Sequence, residues 1–177
     1  MNKLSISILL AGLLQIPDLL AAPTSLGVFT LTEEKLHLIL GAAVYQAPMG
    51  TRVQTKDFIQ SDGSCAQIDE LAGMRVALGP HTQVYLERNG DTTRISLLKG
   101  WLKIQPMQTV RTDNLTVNTA TLGLDINQSA SVIHADGTDT EVFLEAGTQT
   151  LTERDRGGHE GRKITLNQEE IRAARRR

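Results

Sequence analysis

The chain has 177 residues, enough for one domain of ordinary size or for two small packed lobes. Hydrophobic residues make up 40% of it and charged residues 21%, a balance that excludes a largely disordered chain. Aromatic residues amount to only 3%, so the core has to be built from Val, Leu, Ile and Ala. The formal net charge is small, −2, but the charges are unevenly distributed along the chain.

The first 22 residues are typical of a signal peptide. Lys3 supplies a positive start, residues 4–14 form an apolar stretch, and a small-residue run ends at Ala21 and Ala22, where we expect cleavage. The apolar stretch is shorter than the roughly 20 residues that a membrane-spanning helix needs. A buried N-terminal helix is the alternative interpretation. We therefore expect a periplasmic or secreted protein without a transmembrane anchor.

Short segments of alternating polarity follow, after a β lead-in over residues 23–49 in which leucines alternate. In chain order the clearest segments are residues 76–78, 84–86, 94–98, 101–104, 115–117, 131–133 and 142–144. They are rich in Val, Ile, Leu and Thr, which predicts β-strands. Because no helical stretch separates them, parallel βαβ units are excluded. The pattern predicts an all-β fold, either a stacked antiparallel β-sandwich or a β-roll of solenoid-like character.

Turn residues separate these segments. They lie at residues 61–63, 79–82, 89–91, 135–137 and 145–147. Asn-Gly and Asp-Gly accept the positive φ that two-residue hairpin turns demand, and Pro80 presets φ in a Leu-Gly-Pro turn. We therefore expect hairpins at these positions.

The C-terminal part, residues 154–177, differs in charge from the part before it. Residues 111–153 contain one basic and seven acidic residues, whereas residues 154–177 contain eight basic and four acidic ones. Asn167 can serve as an N-cap with Glu170 at the capping-box position three residues later, which predicts a strand followed by a short terminal helix.

The chain ends in a group of arginines. They are Arg172, Arg175, Arg176 and Arg177. Such a group is a candidate contact for a polyanion, such as peptidoglycan or an anionic membrane surface. The alternative is a solvated terminus that complements a helix dipole.

From residue 50 to residue 153 the chain resembles the FecR family, named for the iron-dicitrate sensor regulator. The elements that carry the resemblance are Gly50-Thr51-Arg52-Val53-Gln54-Thr55, Ser64-Cys65-Ala66-Gln67-Ile68, the run from Gly73 to Leu86, Ile95 to Leu102, and Val117-Asn118-Thr119-Ala120. The resemblance implies a periplasmic β domain that serves protein recognition, with a strand-Gly-strand hairpin at Gly100.

The chain also departs from that family. The Arg-Gly-Thr triplet that relatives carry is replaced by Leu122 to Ser129, and the sequence shows neither a cytoplasmic helical anti-sigma domain nor a membrane span. The resemblance therefore does not imply anti-sigma activity or direct transmembrane signalling.

The sequence shows no constellation that predicts catalysis or a cofactor. His134, Asp136 and Asp139 come nearest to a metal-ligand cluster, but they also read as a hairpin turn. Cys65 is the only cysteine, so it can form no intramolecular disulfide and is expected to be an inert structural residue. Trp101 is expected to cap an edge of the core, with a recognition role as the alternative.

We therefore expect a non-enzymatic binding module of the bacterial envelope that recognises an envelope protein partner through sheet faces, loops or an edge strand. The alternative is a binder of an envelope polymer that uses the basic C-terminal tail. Nucleic acid is not expected as a partner, because the strand region is net acidic and the chain carries an export signal.

Overall fold

A computed structural model describes residues 25–33, 36–108, 113–155, 159–168 and 170–175 of the chain. These residues form sixteen strands and no helix, which confirms the all-β class. The strands are β1 (Ser25–Thr32), β2 (Leu36–Leu40), β3 (Ala43–Gln46), β4 (Arg52–Gln54), β5 (Phe58–Ser61), β6 (Ala66–Leu71), β7 (Met74–Leu78), β8 (Gln83–Asn89), β9 (Thr92–Pro106), β10 (Asn114–Asn118), β11 (Leu122–Ile126), β12 (Ala130–Ala135), β13 (Asp139–Ala146), β14 (Thr148–Arg154), β15 (Glu160–Asn167) and β16 (Ile171–Arg175).

The strands form two sheets that share β9. Sheet A has the order β4-β1-β6-β7-β9-β12-β13-β16, and sheet B has the order β3-β2-β5-β8-β9-β10-β11-β14-β15. Among the described strand pairs, β9 and β10 run parallel and the others run antiparallel. The chain changes sheet repeatedly, so each sheet is assembled from segments far apart in sequence.

Strand β9 passes from sheet B to sheet A at Gly100, which has a φ of +97°. A Cβ atom at this position would lie only 2.5 Å from the Cα of Thr82, so the crossing requires glycine. Next to it, the N–H of Trp101 donates a hydrogen bond of 2.9 Å to Oγ1 of the buried Thr82. The crossing is therefore fixed by a close backbone approach and by one buried hydroxyl.

Several of the expected hairpins are instead crossings between the sheets. Residues 89–91 and 135–137 do close hairpins, β8–β9 and β12–β13. In contrast, residues 61–63, 79–82 and 145–147 each connect a strand of one sheet to a strand of the other. The hairpin expected at Gly100 is wrong as well, because β9 is continuous there. Crossings and hairpins both need Gly and small polar residues, so the local sequence does not distinguish them.

Buried side chains from both sheets form one apolar cluster. Leu102, Ile104 and Ile133 contribute from sheet A, and Ile95 and Leu124 contribute from sheet B. The burial alternates along β12 and along each half of β9 with the period of two that the sequence predicted. As expected from the composition, the cluster is almost wholly aliphatic.

The expected C-terminal helix is wrong, because residues 171–175 form β16 on the edge of β13. The contact of a capping box is nevertheless present, since the N–H of Asn167 donates to Oε2 of Glu170 at 2.6 Å. The N–H of Glu170 donates back to the carbonyl of Asn167 at 3.1 Å and closes a turn. A short helix has little stability alone. Pairing with β13 satisfies the backbone and packs Ala174 against the core.

The leader and its cleavage residues, Ala21 and Ala22, lie outside the described residues. Within the part of the chain that the structure describes, no helix is long and apolar enough to span a membrane.

Candidate functional site

The outer face of sheet A carries two rows of side chains across four adjacent strands, β9, β12, β13 and β16. The first row consists of Trp101, His134, Glu141 and Ala173, and the second consists of Lys103, Val132, Phe143 and Ile171. Neighbouring strands lie about 4.8 Å apart, so each row extends over about 14 Å. We call these eight residues the recognition face.

Trp101 does not cap the core, because 45% of it is exposed on this face. Its ring stacks on His134 of the neighbouring strand with the ring centroids 4.1 Å apart and the planes 23° apart. Its backbone is held by Thr82, as described above, and its carbonyl accepts a hydrogen bond of 2.9 Å from the N–H of Gly79. Hydrogen bonds thus hold the backbone of Trp101, His134 contacts one face of its indole, and part of the indole surface stays open to solvent.

The second row supplies exposed apolar surface. Phe143 is 37% exposed and Ile171 is 72% exposed, and they are cross-strand neighbours. Lys103 lies at the other end of the row, where its Nζ is 2.9 Å from Oε1 of Glu145. The face therefore combines aromatic and aliphatic side chains with an ion pair at its border, a composition typical of protein interfaces.

The residues that most resembled a metal site serve the fold. Oδ1 of Asp136 accepts hydrogen bonds from the N–H groups of Thr138 and Asp139, at 2.8 and 2.7 Å, and closes the β12–β13 hairpin. These hydrogen bonds lower the pKa of Asp136 to about 2. Across the described ranges, no group of three or more His, Cys, Asp or Glu side chains could hold a metal ion. Cys65 is a free, partly exposed cysteine between β5 and β6.

One of the candidate polyanion contacts, Arg172, connects the two sheets. Its guanidinium lies 2.8 Å from Oε1 of Glu153, which Arg162 approaches at 3.3 Å. Glu153 belongs to β14 of sheet B, whereas Arg172 belongs to β16 of sheet A. The hydrogen bond from Arg172 holds the pKa of Glu153 below its ordinary value. The backbone of Arg175 pairs in β16, and Arg176 and Arg177 lie outside the described residues.

Sequence reasoning singled out Trp101 but missed its neighbours on the recognition face. Strand β13 contained a signal, since Thr140, Val142 and Leu144 occupy its buried positions while the large Phe143 has the opposite parity. An aromatic side chain on the polar face of a strand marks exposed apolar surface. The sequence did not contain the strand order that places Phe143 beside Val132 and Ile171.

These features define an all-β protein of two sheets with an exposed aromatic face. A similar fold occurs in two crystal structures of a candidate anti-sigma factor from Parabacteroides distasonis, each with a TM-score of 0.51 and 14% sequence identity. The likeness covers 67% of this chain and 59% of that one, so the chain spans less than two thirds of the length of that protein. No family model matches the chain, and no curated protein matches it. The likeness shows the fold alone.

Proposed function

We propose that the chain is an exported, non-enzymatic module of the bacterial envelope with a FecR-like domain, and that it recognises a partner protein through the recognition face. The observation that carries this proposal is the exposed aromatic and aliphatic surface of that face, to which Trp101, Phe143 and Ile171 contribute. Aromatic residues in such a position contribute most of the binding energy in many interfaces.

Two further observations support a role in protein binding. The order of FecR-like elements over residues 50–153 resembles a family whose periplasmic domain recognises proteins. The solved structures with a similar fold belong to a candidate anti-sigma factor, a class of regulator that acts by binding another protein. Export is proposed from the leader-like residues 1–22.

The test is site-specific photo-crosslinking in an envelope extract. A crosslinking amino acid at position 143 should capture one protein, with and without prior muramidase digestion. The same group at Leu98, which is 47% exposed but lies outside the recognition face, is the matched control and should not capture it. Equal capture from both positions, or capture only when peptidoglycan is intact, contradicts the proposal.

Binding of the purified partner then tests the contribution of the indole. Trp101→Ala should weaken the affinity at least about tenfold, the size expected for an aromatic anchor at the centre of an interface, whereas Leu98→Ala should leave it unchanged. Because Trp101 is the only tryptophan in the chain, its fluorescence reports binding directly.

The alternative function is binding of an envelope polymer through the basic tail. Replacing arginines of the tail distinguishes it from binding of a partner protein. Deleting residues 172–177 would remove β16 and the ion pair of Arg172 with Glu153, so a loss of binding would have two explanations. Replacing Arg175, Arg176 and Arg177 by serine keeps Arg172. If that variant no longer co-sediments with peptidoglycan while the wild type does, the tail binds polymer.

A further inference from the structure

Strand β3 differs from the other strands that end the two sheets in the described part of the chain. The four terminal strands are β4 and β16 in sheet A and β3 and β15 in sheet B. Strand β4 has only three residues and contains Arg52, β15 contains three charged residues, and β16 contains two arginines. Charged residues and short length are the devices that protect edge strands from pairing with another chain. Strand β3, Ala43-Val44-Tyr45-Gln46, contains no charged residue.

The free edge of β3 presents backbone hydrogen-bonding groups. The N–H of Ala47 donates to the carbonyl of Leu36 at 3.1 Å, which fixes the phase of the β2–β3 ladder. In this phase Tyr45 and Ala43 direct their backbone groups to β2, whereas Val44 directs its N–H and C=O to the open side. Val44 and Tyr45 are 62% and 53% exposed.

An apolar row on the outer face of sheet B leads to this edge. Val44 pairs with Ile39, Ile39 pairs with Phe58, and Phe58 pairs with Tyr85 on the next strand. Ile39, Phe58 and Tyr85 alternate with the buried positions of their strands, and Val44 lies directly opposite Ile39, so the four residues share the outer face. The row therefore extends over four strands and ends at an uncharged edge.

We propose that two copies of this chain pair antiparallel through β3, with Val44 on the two-fold axis. In this register Val44 exchanges two backbone hydrogen bonds with its counterpart, and Ala43 lies opposite Tyr45 of the second copy. The outer faces of the two B sheets join, and the apolar row continues over eight strands. Among the four terminal strands of the described sheets, β3 alone contains no charged residue, so its self-pairing places no like charges on the shared edge.

Measuring the oligomeric state tests whether β3 forms a dimer interface. One chain has a mass of 19.3 kDa, and light scattering coupled to gel filtration should give the full chain twice that mass. Val44→Lys should weaken self-association at least about tenfold, because it places two like charges on the two-fold axis. Ile171→Lys is the matched control, since it introduces the same charge at an exposed aliphatic residue of another edge strand and should leave the dimer intact. A monomeric wild type, or equal dissociation by both variants, overturns the proposal.

Disulfide formation tests the register. With Cys65 replaced by serine, a mixture of Ala43→Cys and Tyr45→Cys chains should crosslink, because directly opposed residues of a non-hydrogen-bonded pair have Cα atoms about 4.5 Å apart. Each variant alone should not crosslink, because its two cysteines lie about 8 Å apart in this register. Crosslinking of Tyr45→Cys alone, or no crosslinking of the mixture, overturns the stated pairing.

Discussion

Gly100 is the residue whose replacement should disturb the junction of the two sheets most. Gly100→Ala introduces a Cβ atom 2.5 Å from the Cα of Thr82 and in steric conflict with its Oγ1, at the point where β9 passes from sheet B to sheet A. A positive φ of +97° adds backbone strain for any residue with a side chain. We expect about 1–2 kcal/mol from the strain and about 1–3 kcal/mol from the overpacking, a loss of about 2–5 kcal/mol in the free energy of unfolding.

Gly90→Ala provides the matched control. Gly90 also has a positive φ, +58°, but a Cβ atom there meets nothing within 4 Å. The substitution should cost about 1 kcal/mol of backbone strain. Both variants reduce the entropy of the unfolded chain by a similar amount, so this contribution cancels in the comparison. The difference between them, about 1–4 kcal/mol, comes mainly from the clash with Thr82.

Urea denaturation of both variants, followed by the fluorescence of Trp101, measures these free energies next to the crossing. In a protein of this length 1 kcal/mol corresponds to roughly 2–4 °C in Tm, so thermal unfolding provides a second measurement. If Gly100→Ala is no less stable than Gly90→Ala, the close approach at the crossing does not constrain the fold, and the reasoning is refuted.

Three more outcomes follow from named contacts. Thr82→Val should lower the free energy of unfolding by about 1–3 kcal/mol, because it leaves the N–H of Trp101 without its acceptor. Thr82→Ser keeps a hydroxyl and should cost less. Equal losses for the two variants in urea denaturation contradict a role for this hydrogen bond. Asp57→Asn should be more stable than the wild type at pH 7, because burial raises the pKa of the Asp57 carboxyl. The stabilities of the variant and the wild type should converge as the pH falls towards 3.8. A variant that is less stable than the wild type at both pH values opposes the explanation. Glu153→Gln should lower Tm at pH 7, because the pKa of Glu153 is depressed and its ionised form stabilises the fold above about pH 4.5. The Tm difference from the wild type should shrink as the pH falls below 4.5. A Tm difference that does not depend on pH argues against this explanation.

The strands were predictable because burial on one face imposes a period of two on the sequence. Ile95, Leu97, Leu102 and Ile104 alternate with polar residues and lie inside as expected. The buried positions change from odd to even numbers between Leu97 and Leu102, which marks an irregularity near Gly100 but does not reveal that β9 leaves one sheet and enters the other. That change depends on contact with Thr82, a residue 18 positions earlier, which has no counterpart in the local pattern.

The C-terminal segment shows a second reason for failure. Asn167 and Glu170 form the hydrogen bond that their spacing predicts, but this contact fixes only one turn. Whether a helix or a strand follows depends on what lies beside residues 171–175, and the edge of β13 lies there. A local signal therefore gave the correct hydrogen bond and the wrong element, because tertiary pairing outweighs a weak propensity.

Of the candidate site, the sequence predicted a recognition role only for Trp101, and only as the alternative to a core position. Trp101 and Phe143 are 42 positions apart, and the register of β9 with β12 and of β12 with β13 places them on one face. His134 looked like a ligand in the sequence because it lies near two aspartates. In the structure its ring stacks on Trp101 of the neighbouring strand, while Asp136 accepts the hydrogen bonds that close the β12–β13 hairpin.

The recognition face and the uncharged edge lie on opposite sides of β9. Strand β3 is separated from β9 by three strands of sheet B, so it lies about 19 Å away, whereas β12, β13 and β16 extend from β9 in the other direction. Two copies joined through β3 therefore leave both recognition faces open to solvent. A dimer of this kind is bivalent, and two linked sites bind a partner that displays two copies of its epitope far more tightly than one site does. A modest affinity at each face is then compatible with stable attachment, and Val44→Lys should weaken binding to such a partner without any change at the recognition face itself.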